Sequence, residues 1–190
     1  MGSKVQNIVL GTLTVCLISL TVIYAVLTQK LDINTNANSK SSTWDIHFEN
    51  LNSSVIGKAK LSSDNQLAIM NDSTTISGSV GNLYLPGDSI IYTFDIVNGG
   101  TIPAVLSISP TISAPECSSL SMTSSNDVCS NVKYTLTYAD GTEIKTGDYL
   151  DKGEKRAAKL TLSLKETMSS VPSEDVDITN IAATLFYSQK

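Results

Sequence analysis

Residues 86–109, PGDSIIYTFDIVNGGTIPAVLSIS, set the tightest limit on what this chain can fold into. Ile90, Tyr92, Phe94 and Ile96 alternate with polar or smaller neighbours, and Ile102, Ala104, Leu106 and Ile108 resume the rhythm after Asn98-Gly99-Gly100. A period of two puts one set of side chains on one face of an extended strand, so each run reads as a half-buried strand. Pro86-Gly87-Asp88 supplies the turn before the first run. The simplest reading pairs the two runs as antiparallel neighbours, with Pro103 at an edge or bulge because it has no N–H for a ladder.

The same alternation recurs from Trp44 to the end of the chain. In WDIHFEN, Trp44, Ile46 and Phe48 oppose Asp45, His47 and Glu49. Residues 55–61 and 74–80 follow, with a weaker strand at 66–70. Val132 to Ala139 then meets Asp140-Gly141, a pair that predicts a two-residue hairpin of type I′. Leu160, Leu162 and Leu164 face inward on 156–165, and Ile181, Ala183, Leu185 and Tyr187 do so on 181–187. That makes about nine or ten strands without a helix between successive strands, and a short helix in the excursion 110–128 or 167–177 is compatible with the pattern. Parallel strands need helical crossovers, so the expected fold is all-β: an antiparallel β-sandwich, jelly-roll or immunoglobulin-like, over residues 44–190.

Ahead of it, Ile8 to Val26 is an uncharged and largely apolar run of 19 residues. In lipid the backbone must pair with itself, so the run is expected to be a hydrophobic helix. Ala25 offers a small residue for signal peptidase, so 1–25 reads as a signal peptide or, uncleaved, as a membrane anchor. Either way the rest is expected to be secreted or displayed at the extracellular cell surface. Residues 26–43 form an N-terminal segment and a polar neck, NTNANSKSST, between the hydrophobic run and the domain. Within that segment Leu27, Leu31 and Ile33 fall on one side of an extended chain, a pattern suited to adding a strand at an open sheet edge.

Cys117 and Cys129 remain beyond Cys16, which lies inside the hydrophobic run. An oxidising compartment favours a disulfide between them, although spacing does not fix the geometry a bond needs, and two thiols is the alternative. Zinc would lack half its ligands.

Lys4 and Lys30 are the only charges before residue 31, so removing those two lysines from a formal net charge of −5 leaves −7 beyond them. A nucleic-acid partner needs a positive stripe, and none is present. Lys152, Lys155, Arg156 and Lys159 are the one basic grouping; it reads as a solvated turn and strand face, with an anionic wall or matrix polymer as the partner it would otherwise suit. His47 is the single histidine and falls on the polar face of its strand. No GxSxG, HExxH or phosphate-loop motif occurs and a Ser-His-Asp set would depend on His47 alone, so no catalytic, cofactor or metal residue is assigned and an enzyme is not expected. Asp64, Asn71 and Asp72, like Asp148, Asp151 and Glu154, read as turn formers rather than calcium ligands.

The apolar leader, the polar neck, WDIHFEN and above all LPGDSIIYTFDIVNGGTIPA at 85–104 resemble the TasA/camelysin family of bacterial cell-surface and biofilm-matrix proteins. The resemblance implies a jelly-roll sandwich, release by signal peptidase and self-association into filaments, with an N-terminal strand completing the neighbour's sheet. That role would fall on Val26 to Ile33. Some members are described as metalloproteases, but this chain has no recognisable residue set for that activity. The expected function is therefore an extracellular structural subunit; a membrane-anchored adhesion or ligand-binding module is the alternative.

Overall fold

The computed structural model describes Thr14, residues 17–20, residues 41–168, Pro172 and residues 174–190. Two compact units divide the chain, Met1–Ser41 and Ser42–Lys190. In the first, Thr14 and residues 17–20 are helical. The remainder of the expected Ile8–Val26 helix lies outside the described residues, and among those described no helix is long and apolar enough to cross a membrane.

Among its described residues the second unit is all-β apart from one helix. Its strands are β1 (Ile46–Ile56), β2 (Lys60–Leu61), β3 (Ala68–Ile69), β4 (Thr75–Gly78), β5 (Gly81–Asn82), β6 (Ser89–Asn98), β7 (Ala104–Leu106), β8 (Thr111–Ile112) and β9 (Glu116–Ser118). After helix α1 (Met122–Asn131) come β10 (Val132–Tyr138), β11 (Tyr149–Leu150), β12 (Lys155–Leu164), β13 (Asp177–Thr179), β14 (Ile181–Thr184) and β15 (Tyr187–Gln189). They form four small antiparallel sheets, ordered β1-β6-β12-β10, β11-β7-β15, β2-β5-β13-β9 and β3-β4-β14-β8. Fewer and longer strands were expected. The division has a visible cause in the C-terminal stretch: Asn180 takes a left-handed φ of 55° between β13 and β14, so one extended run serves two sheets in turn.

All four sheets feed one hydrophobic core. The inward faces of β6 and β12 behave as the alternation requires, burying Ile90, Tyr92, Phe94 and Ile96 beside Ala158, Leu160, Leu162 and Leu164. Leu106 and Leu150, Ile178, and Ile76 with Ile181 bring in the other three sheets, each almost fully buried. Phe48 packs on Phe94 with ring centroids 4.8 Å apart. Each such side chain withdraws enough apolar surface to stabilise the fold by about 1.5–3 kcal/mol before entropy is counted.

Three expectations change. The runs at 90–96 and 102–108 are not a hairpin: β6 pairs with β1 and β12, whereas β7 pairs with β11 and β15. Asn98 explains the parting. Its fully buried side chain donates to the carbonyls of Ile102 and Leu150 and accepts the Gly100 N–H, so the chain is held turning away from β6 into another sheet. The Asp140-Gly141 turn is not type I′ either, because only Gly141 has a positive φ (92°). Gly141 N–H bonds to Tyr138 C=O and Tyr138 N–H to Thr142 C=O, the pattern of a three-residue loop with glycine at its left-handed position. Finally, Trp44 is not buried with Ile46 and Phe48. It precedes β1 and is 41% exposed.

The turn at Pro86–Asp88 does form, closed by Asp88 N–H to Leu85 C=O at 2.9 Å. The Asp88 carboxylate is buried and accepts the N–H groups of Lys58, Tyr84 and Leu85 at 2.9, 3.0 and 2.8 Å. Burial alone would raise its pKa; the three N–H donors outweigh that and hold it below the usual carboxylate range.

Candidate functional site: a groove between two open strand edges

The unit begins with a clasp. Thr43 N–H donates to the Thr101 hydroxyl at 2.8 Å, and Thr101 N–H returns a bond to the Thr43 carbonyl at 3.0 Å. Gly99 N–H then donates to the Asp45 carbonyl at 2.9 Å. Glycine is needed for this approach. A Cβ on Gly100 would sit 2.5 Å from the Thr43 carbonyl oxygen, and one on Gly99 would sit 2.4 Å from an Asp45 carboxylate oxygen.

An extended chain points successive backbone groups to opposite sides. With Thr43 and Asp45 turned toward residues 99–101, Trp44 and Ile46 turn the other way. Phe48, of the same parity, confirms that side by donating its N–H to the Ser73 carbonyl at 2.7 Å. Across from it, Leu185 N–H donates to the Thr74 carbonyl at 3.2 Å, while Phe186 C=O accepts from Ser107 N–H at 2.8 Å. Tyr187 shares the parity of Leu185 and therefore faces the same side as it.

These segments enclose an open groove of about 320 Å³, with Trp44–Ile46 on one wall, Asp72–Thr74 at the base and Leu185–Tyr187 on the other wall. β1 is an edge strand of its sheet and β15 an edge strand of another. Among the described residues, the outward backbone groups of Ile46 and Tyr187 have no hydrogen-bond partner. Trp44 and Phe186, 41% and 47% exposed, stand on opposite walls. Unpaired edges beside exposed aromatic surface are the features that accept an added strand.

Sequence reasoning located Trp44 but put it in the core, and it missed Phe186 altogether. One signal was available: Phe186 is an aromatic on the outward side of an alternating run. The expected donor residues Leu27, Leu31 and Ile33 lie outside the described residues.

Cys117 and Cys129 form a disulfide, with Cα atoms 5.8 Å apart, joining β9 to α1. Ser121 caps that helix by accepting the Ser124 N–H. Around His47, Nδ1 lies 2.8 Å from Asp45 Oδ1 and Nε2 lies 3.9 Å from Glu49 Oε2. Glu49 also meets Lys155, whose ammonium is 3.6 Å from Asp95. Arg156 bonds to Glu154 at 2.6 Å and Lys159 to the Ala139 carbonyl at 3.2 Å, so most of the basic grouping at 152–159 is already engaged.

The acids of the loops do turn work. Asp72 accepts the N–H groups of Thr74 and Thr75, and Asp148 accepts the Lys145 N–H and the Tyr138 hydroxyl. Among the described residues no group of three or more His, Cys, Asp or Glu side chains is gathered to hold a metal ion.

Fold and groove together define an antiparallel all-β protein with a disulfide and an aromatic-flanked pair of open edges. No protein family, curated protein or solved structure compared with this chain matches it.

Proposed function

We propose that this chain is an extracellular structural subunit that assembles by strand addition between copies. The groove between Ile46 and Tyr187 carries this reading, because it presents two unpaired backbone edges with Trp44 and Phe186 ready to cover an inserted strand. On this reading the four sheets form the two layers of a sandwich, jelly-roll or immunoglobulin-like. The donor is the alternating segment 26–33 of a neighbouring copy, with Leu27, Leu31 and Ile33 directed into the groove. Release by signal peptidase near Ala25 makes that segment available outside the cell. A strand added there gains ladder hydrogen bonds and buries two aromatic side chains.

The test compares protein beginning at residue 26 with protein beginning at residue 34, each purified and viewed by electron microscopy. Filaments from the first and none from the second support the proposal. Equal polymerisation by both removes the donor role from residues 26–33.

A further inference from the structure

Asn98-Gly99 is the one Asn-Gly step in the chain. Glycine has no side chain to crowd its backbone nitrogen or restrict its dihedrals, so in a loose chain that nitrogen readily reaches the preceding asparagine amide. It gives up its proton to solvent and adds to Asn98 Cγ, and the Cγ–Nδ2 bond breaks to release ammonia. Water then opens the succinimide ring at one carbonyl or the other, leaving aspartate or isoaspartate.

The fold restrains each participant in this reaction. Asn98 is fully buried, with Nδ2 donating to the Ile102 and Leu150 carbonyls at 2.8 and 3.2 Å and Oδ1 accepting the Gly100 N–H at 3.0 Å. Its own N–H donates to the Glu154 carbonyl at 3.0 Å, and its carbonyl accepts the Gly153 N–H at 2.8 Å. The attacking nitrogen is held differently. Gly99 is exposed, and its N–H is tied only through the clasp, to the Asp45 carbonyl at 2.9 Å. Thr43, Trp44 and Asp45 are exposed and precede β1, so the clasp rests on chain that opens at lower cost than the core strands.

We propose that Asn98-Gly99 is a latent modification site, that the clasp of Thr43 and Asp45 on residues 99–101 holds off its reaction with water, and that a molecule whose clasp opens is converted irreversibly. A carboxylate at position 98 has no hydrogens for the Ile102 and Leu150 carbonyls. It would stand buried and charged among acceptors, with the Gly100 N–H as its one donor. Isoaspartate adds a backbone atom at the same point. Either product removes what turns the chain from β6 into β7, so the opened form does not return. The device limits the working life of a copy and stands whether or not copies assemble.

The test incubates the full-length chain in detergent micelles at mildly alkaline pH and follows residue 98 by peptide mass spectrometry, beside the same chain unfolded in urea. Conversion slower by about a hundredfold or more in the folded chain is expected. Thr101→Ala removes the hydroxyl that accepts the Thr43 N–H and raises the folded rate about fivefold. Ile90→Val, a core change of similar cost at the other end of β6, leaves that rate near the parent's. Asn98→Asp, made directly, unfolds at a clearly lower denaturant concentration. Equal rates in the folded and unfolded chains overturn the proposal. So does a Thr101→Ala rate no higher than the parent's, or equal acceleration by Thr101→Ala and Ile90→Val, which would make global unfolding the controlling step. An Asn98→Asp chain as stable as the parent overturns the irreversible conversion.

Discussion

Thr43 and Thr101 hold each other through two hydrogen bonds, one to a hydroxyl and one to a backbone carbonyl, and this reciprocal pair fixes where the chain joins the β unit. Because Thr43 turns its backbone groups to residue 101, those of Trp44 turn the other way, toward the groove that Trp44 lines.

That junction predicts unequal responses at two adjacent glycines. A Cβ on Gly100 meets backbone, the Thr43 carbonyl and the Asp45 nitrogen, whereas one on Gly99 meets the Asp45 carboxylate, which can rotate aside. Gly100→Ala is expected to destabilise by about 1–3 kcal/mol and Gly99→Ala by clearly less. Denaturant unfolding measures both, and faster hydrogen exchange at the Thr101 N–H would mark the opened clasp.

The groove aromatics should separate stability from assembly. Trp44 and Phe186 are too exposed to matter much to folding, so alanine at either position should stay within about 0.5 kcal/mol of the parent. Leu160→Ala, inside the core, should cost about 2–5 kcal/mol. If the groove accepts a strand, the two aromatic variants lose filaments while keeping their unfolding midpoint, which paired microscopy and thermal melts would show.

Asp88 makes acid a specific stress. Its folded pKa lies below the ordinary 3.8, so its contribution is present above that value and is lost as pH falls through the lower, folded one. Asp88→Asn sets an amide N–H₂ against backbone donors that now meet carboxylate oxygens. A loss of about 2–3 kcal/mol near neutral pH is expected, with a flatter decline of stability in the acid range. Unfolding curves collected from pH 2 to 7 would reveal either result.

The disulfide closes a loop of sequence separation 12 and ties α1 to the edge strand β9. Replacing both Cys117 and Cys129 by serine should lower stability by about 2–4 kcal/mol. Because α1 buries few side chains besides Val128, Ser124 and Ser125, circular dichroism should show its helical signal fading before the β signal does.

How legible the fold was varied with how local its cause was. Ile90 to Ile96 and Leu160 to Leu164 announced their inward faces by alternation alone, and both runs are strands in the structure. Pro86-Gly87-Asp88 gave a correct turn because its residues carry their own backbone preferences. Asp140-Gly141 failed by one residue, since glycine at a left-handed position serves two hairpin types and the letters do not separate them. The pairing of β6 with β1 and β12, in place of its sequence neighbour β7, was invisible because it depends on Asn98 reaching Leu150, 52 residues away. The two walls of the groove are equally remote from each other in the chain.

From its sequence alone this protein was bound to be built of antiparallel strands, because period-two alternation and turn residues act within a few positions of each other. Alternation also put Ile90, Ile96, Leu160, Leu162 and Leu164 inside, since the pleat leaves them a single face, whereas Ile108, assigned the same way, is exposed because β7 ends at Leu106. Only the tertiary structure decided which edges stay open and that Trp44 and Phe186 line opposite walls of one groove. Those outcomes depend on which distant segments arrive side by side, and the apolar burial that drives their arrival has no direction of its own.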